Sequence, residues 1–148
     1  MIADYKKLLL ATDFSEHSEA AALRAMDIAR RNNASLILFH VVEVDAPQVV
    51  PAEWVEKKRN EGEESFWVYD AKKRLAEFAS RMHASEATQV VCSGLFSPKR
   101  DILKYANEND IDLIIMGTHG RYALEVIMGS TAVGVVHRAK CDVLTVRI

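Results

Sequence analysis

At 148 residues, with 49% hydrophobic and 27% charged residues, the chain has the length and composition of a globular domain with a substantial apolar core. That balance excludes intrinsic disorder, which requires low hydrophobicity and a large net charge. With 19 basic against 21 acidic residues and a formal charge of −2, it also lacks the basic excess of a nucleic-acid-binding surface. No apolar run approaches the roughly 18 residues of a membrane-spanning helix.

The first apolar run, Leu8-Leu9-Leu10-Ala11, is too short for the core of a signal peptide. Cys92 and Cys141 have neither disulfide-framework nor zinc-site spacing, and are expected to be buried free thiols behaving as small apolar side chains. The expectation is a cytoplasmic protein with one domain over residues 1–148, without a nucleic-acid or membrane partner.

In chain order, residues 7–12 form a short apolar run, the pattern of a strand buried on both faces. Asp13-Phe14-Ser15 turns the chain, and Ser15 is placed to cap a helix over Glu16–Asn32. Glu16 and Glu19 suit the positive end of that helix, and Arg30 and Arg31 its negative end. Ala22, Met26 and Ala29 form its apolar stripe. Residues 34–42, rich in β-favouring side chains, form a second strand. A loop follows with Pro47 and Pro51, then Trp54.

Within residues 52–84 the early part is charged and the later part helical, with Ala71, Leu75, Phe78 and Met82 on one stripe. Gly62 marks a break, and residues 56–64 read as a solvated face. A strand over 88–93, a turn with Gly94 and Pro98, a helix over 99–109 and a strand over 111–116 come next. A helix over 131–139 and a strand over 142–148 complete the alternation. Five strands separated by helices specify a parallel sheet in an α/β fold.

The chemistry concentrates in Gly117-Thr118-His119-Gly120, directly after the fourth strand, and Gly129-Ser130-Thr131, which opens the last helix. In open α/β sheets, ligands bind beyond the carboxyl ends of strands where the strand order reverses. Glycines let the backbone take positive φ and approach a ligand closely. The free N–H groups and positive dipole of a helix start form an anion site. The hydroxyls of Ser130 and Thr131 and the charge of Arg121 add to it. A few charge-assisted hydrogen bonds, each about 1.5–3 kcal/mol, would supply most of a micromolar affinity. Taken alone, Gly-x-x-Gly also describes a flexible loop before an ordinary helix cap. Asp13 ends the first strand and offers a carboxylate to ribose hydroxyls, or else caps the turn. Val41, ending the second strand, offers backbone groups and an apolar face to a base.

Ala11-Thr12-Asp13-Phe14-Ser15 after strand one, His40-Val41 at the end of strand two, and Met116-Gly117-Thr118-His119-Gly120-Arg121 with Met128-Gly129-Ser130-Thr131-Ala132 together resemble the universal stress protein family. The resemblance covers essentially the whole chain. It implies an open, Rossmann-like five-stranded parallel sheet ordered 3-2-1-4-5 with helices on both faces, and a homodimer formed through the last strand, residues 142–148. It implies an adenine-nucleotide site in which Asp13 and Val41, with Thr12 and Met116 beside them, serve ribose and adenine. Gly117, Gly120, Gly129, Ser130 and Thr131, with His119 and Arg121, would hold phosphates. The family's ATP-binding branch reads Gly-x2-Gly-x9-Gly-Ser/Thr, whereas here eight residues separate Gly120 from Gly129. The shorter loop widens the implied ligand from ATP to ATP, ADP or AMP, with Mg²⁺ as companion to ATP. Asp142 stands where the family often has proline after Cys141.

His17, His40, His83, His119 and His137 show no metal-ligand spacing. His119 is read as touching either ligand or solvent, and His40 as a satisfied structural histidine. Ser15 lacks a nucleophile elbow, no P-loop lysine occurs, and no general-base constellation stands beside the glycines. The expected function is a nucleotide-binding stress-response regulator. Slow Mg²⁺-dependent ATP hydrolysis and a non-nucleotide partner-binding module are the alternatives.

Overall fold

The computed structural model describes residues 4–42, 66–94, 97–119 and 128–148. The elements run β1 (Lys7–Ala11), α1 (Glu16–Asn32), β2 (Ser35–Val41), α2 (Phe66–Arg81), β3 (Thr88–Cys92), α3 (Pro98–Glu108), β4 (Leu113–Gly117), α4 (Ser130–Arg138) and β5 (Asp142–Val146). The five strands form one sheet ordered β3-β2-β1-β4-β5, every neighbouring pair parallel. The strand order and the alternation agree with the expected Rossmann-like α/β arrangement.

The central strands are apolar on consecutive residues because both faces are covered. Leu8, Leu9 and Leu10 of β1 are all fully buried. Leu8 and Leu10 join Leu38, Leu113, Ile115 and Val146 beneath α1 and α2, which contribute Ala21, Ala22, Ala25, Leu75 and Phe78. Leu9 joins Ile37, Phe39, Val41, Ile114 and Met116 beneath α3 and α4, which contribute Ile102, Ala106, Ala132 and Val135. Each fully buried leucine stabilises the fold by roughly 1.5–3 kcal/mol. Ala71, Leu75 and Phe78 of α2, with Met82 just beyond its end, face inward as expected.

Local chemistry sets the boundaries. The Ser15 hydroxyl caps α1 by accepting the Ser18 N–H at 3.4 Å, and Asn33 closes the helix in the left-handed conformation. Ser97 caps α3, which starts at Pro98, one residue earlier than expected, because proline's fixed φ and missing N–H suit a first helical position. β4 starts at Leu113 rather than at Ile111, because the Asp112 carboxylate turns to accept the backbone N–H groups of Lys6 and Lys7. Gly94 takes φ +71, and a Cβ there would fall 2.1 Å from the carbonyl oxygen of Val42. At the lower edge of the sheet, the Tyr5 hydroxyl donates to Asp142 at 2.8 Å.

Cys92 and Cys141 are free but half-buried rather than fully buried. Burial, followed by the charge of Asp142, pushes the Cys141 thiol up. Among the described residues no helix is long and apolar enough to cross a membrane. The expectations for Pro47, Pro51, Trp54, residues 56–64 and Gly62 lie outside the described residues, as do those for Gly120 and Arg121.

Candidate functional site

β1 pairs with β2 on one side and β4 on the other. The chain leaves β1 for α1 on one face of the sheet, whereas α4, the next described element after β4, packs on the opposite face. This is the strand-order reversal beyond which open α/β sheets bind ligands. Leu10 is in register with Leu38 and Ile115, so Thr12, His40 and Gly117 come level two rungs later, at the rim.

The turn after β1 is closed by its own side chains. The Thr12 N–H extends the ladder to the Phe39 carbonyl at 2.9 Å. The Thr12 hydroxyl accepts the Phe14 N–H and donates to Ser18 Oγ, both at 3.0 Å. His40 Nδ1 lies 2.7 Å from the Thr12 carbonyl; a carbonyl only accepts, so Nδ1 carries the proton. His40 is therefore the structural histidine expected. Asp13 Oδ1 accepts the Ser15 N–H at 3.0 Å and lies 3.2 Å from Ser18 Oγ. That oxygen performs the capping role open to Asp13.

Between these groups Phe14 sits at φ +67, a conformation rare for a bulky side chain. Its ring is held by His40 at 4.3 Å, Phe78 at 5.9 Å and the Arg74 guanidinium at 4.8 Å. Surrounding packing of this kind is what maintains a strained backbone.

The end of β4 corrects one expectation. Gly117 does not take positive φ. A Cβ there would lie 2.7 Å from His17 Cβ and 2.9 Å from the His17 carbonyl carbon. Its glycine lets the first turn of α1 rest on β4, whatever approaches from above. The Thr118 N–H then donates to the Val146 carbonyl at 3.1 Å, and the Thr118 carbonyl accepts the Gly129 N–H at 2.7 Å. This second bond holds the start of α4 beside the end of β4.

Gly129 is the N-cap of α4, at φ −60 and ψ 154, with no side chain to cap the helix. The first intrahelical bond runs from the Val133 N–H to the Gly129 carbonyl. The N–H groups of Ser130, Thr131 and Ala132 thus have no acceptor within the helix. The first turn carries no acidic residue, so the dipole's positive end is not offset there.

Thr12, Val41 and Met116 are buried at the rim, Val41 and Met116 on the α3–α4 face. Ser130 is exposed and Thr131 half-buried. His119 is not solvated, the alternative expected if it touched no ligand: it is only 8% exposed. Its Nδ1 meets Thr118 Oγ1 at 2.8 Å, and its ring centre lies 5.1 Å from that of His17. His119 Nε2 and His17 Nδ1 are both buried without a hydrogen-bond partner, an arrangement that costs about 1–3 kcal/mol for each such group. Asp101 Oδ2, in the first turn of α3, is a third. His17, Phe14 and Asp101 are absent from the sequence-based site. No residue pattern announces the left-handed turn at Phe14.

A sequence model of the universal stress protein family matches residues 4–147. Universal stress protein A homolog 2 of Coxiella burnetii is 36% identical over 150 residues, which cover 98% of this chain and 97% of that protein. The solved structure of universal stress protein UspA from Lactobacillus plantarum superimposes with a TM-score of 0.71 at 28% identity, over 99% of this chain and 100% of that one. A universal stress protein solved in complex with cAMP does so with a TM-score of 0.66 at 25% identity, covering 98% of each. The chain belongs to the universal stress protein family.

Proposed function

We propose that this chain binds an adenine nucleotide across the carboxyl ends of β1 and β4, and that it acts as a dimeric regulatory protein of the stress response in the cytoplasm. The observation that carries the reading is the start of α4, glycine-capped, free of acidic residues and tied by the Gly129–Thr118 hydrogen bond to the rim of the sheet. Phosphate groups would take the N–H groups of Ser130 and Thr131, with Gly117, Gly120 and Arg121 completing the loop. Asp13 would receive a ribose hydroxyl, and Thr12, Val41 and Met116 would border the base. His119 is buried where the chain leaves β4. The relative solved with cAMP supports an adenine ligand. ATP, ADP and AMP all remain within this reading, with Mg²⁺ accompanying ATP. Binding rather than rapid turnover is the proposed activity.

Isothermal titration with AMP, ADP, ATP and cAMP tests the reading. Saturable heat with at least one of them is expected, and none with any, in protein shown by circular dichroism to be folded, refutes it. The dimer is proposed through β5. This strand lies at the edge of the sheet, where unpaired N–H and C=O groups invite a second strand. Ile148, just beyond it, is 73% exposed. Sedimentation equilibrium should return twice the chain mass, and Thr145→Pro should halve it.

A further inference from the structure

We propose that His17 and His119 bind a divalent late-transition-metal ion of the Zn²⁺ or Co²⁺ class, at a site between the first turn of α1 and the exit of β4. The two histidines come from distant parts of the chain, the first turn of α1 and the exit of β4. Each buries a ring nitrogen without a hydrogen-bond partner, Nδ1 of His17 and Nε2 of His119. Their ring centres are 5.1 Å apart, with the planes tilted by 50°. Two imidazoles on one tetrahedral ion, with metal–nitrogen bonds of about 2.0–2.1 Å, hold their ring centres about 5 Å apart. The observed ring-centre spacing matches that value.

The surroundings permit the form of His119 that a metal requires. Metal-binding histidines as a rule donate their other ring N–H to a nearby acceptor. Thr118 Oγ1 stands 2.8 Å from His119 Nδ1. With Nδ1–H donating to it, Nε2 presents its lone pair. His17 is held by the contact of its own backbone with Gly117, where even a Cβ has no room. Among the described residues no cluster of three or more His, Cys, Asp or Glu side chains could hold a metal. The described residues therefore supply two ligands, His17 and His119. Two imidazoles favour Zn²⁺, Co²⁺, Ni²⁺ or Cu²⁺ over Mg²⁺, which prefers oxygen.

The test uses the full chain without nucleotide, so its failure is distinct from failure of the nucleotide reading. Titration with Co²⁺ should produce the visible absorption of a low-coordinate nitrogen site. His17→Gln and His119→Gln should each weaken binding at least about tenfold. His137→Gln, at an exposed position in the last turn of α4, should leave it unchanged, and excess Mg²⁺ should not compete. Long-range ¹H–¹⁵N spectra of the unaltered protein read the same site without relying on a variant's folding: Zn²⁺ should shift His17 Nδ1 and His119 Nε2. Unshifted nitrogens, Co²⁺ binding retained in the double variant, or displacement by Mg²⁺ would each overturn the proposal.

Discussion

α1 and α4 both begin at the carboxyl edge of the sheet, and both present the positive end of a helix dipole, yet their first turns are built for different ends. At α1 the dipole is already answered. Ser15 caps it, Asp13 accepts the Ser15 N–H, and Glu16 and Glu19 place negative charge in the first turn. At α4 the cap is glycine, with no side-chain bond and no acid. The helix field is similar at the two starts. What differs is whether the protein has supplied its own anion, and only a vacant start has reason to take one from solution.

This contrast can be broken by exchanging the features that define it. The largest effect is expected from Gly129→Asp. The N-cap φ and ψ are open to aspartate, so the fold should be retained or gain a few tenths of a kcal/mol from the new cap. A carboxylate would then occupy the N–H groups proposed for phosphate, and nucleotide affinity should fall at least about 100-fold, roughly 2.7 kcal/mol by titration calorimetry. Unchanged affinity would place the phosphates elsewhere. Gly129→Val should also weaken binding, by bulk alone.

Gly117→Ala comes next. Its methyl would press on His17 Cβ and the carbonyl behind it. A loss of about 1–3 kcal/mol in urea-unfolding stability is expected, the usual cost of overpacking. A neutral result would mean that α1 shifts easily over β4. Ser15→Ala should cost about 0.5–1 kcal/mol, at the low end for a lost cap because its hydrogen bond is long, with nucleotide affinity unaltered. Glu16→Gln should cost about 0.3 kcal/mol or slightly more, without creating an anion site at α1. If it did create one, local charge alone would separate the two helix starts.

The parts of this architecture that were legible in the residues are those determined locally. β1 reads as a strand because three consecutive leucines suit burial on both faces. Ser15 reads as a cap because its partner, Ser18, is only three residues away. The strand order did not follow from periodicity and rested on the family resemblance. Gly117 was legible as a point of close approach, but the approach of α1 was not, since a glycine that admits a ligand and one that admits a helix look alike. Its partner His17 lies far away in the chain. The burial of His119 has the same origin. Phe14 was the least legible, because its left-handed backbone depends on the rings of His40 and Phe78 and the Arg74 guanidinium, a set assembled only in the folded chain.

The hydrogen bond between the Thr118 carbonyl and the Gly129 N–H also bears on how such proteins diverge. It brings the departing and returning ends of the chain to one point, as a clasp does, so residues gained or lost in between need not displace β4 or α4. The entropy of closing a flexible segment grows only with the logarithm of its length, about 0.6 kcal/mol for each doubling. By that measure a change of one residue between Gly120 and Gly129 is nearly free. At the proposed site, ligand preference can then drift by changes in loop length while β4 and α4 stay in place.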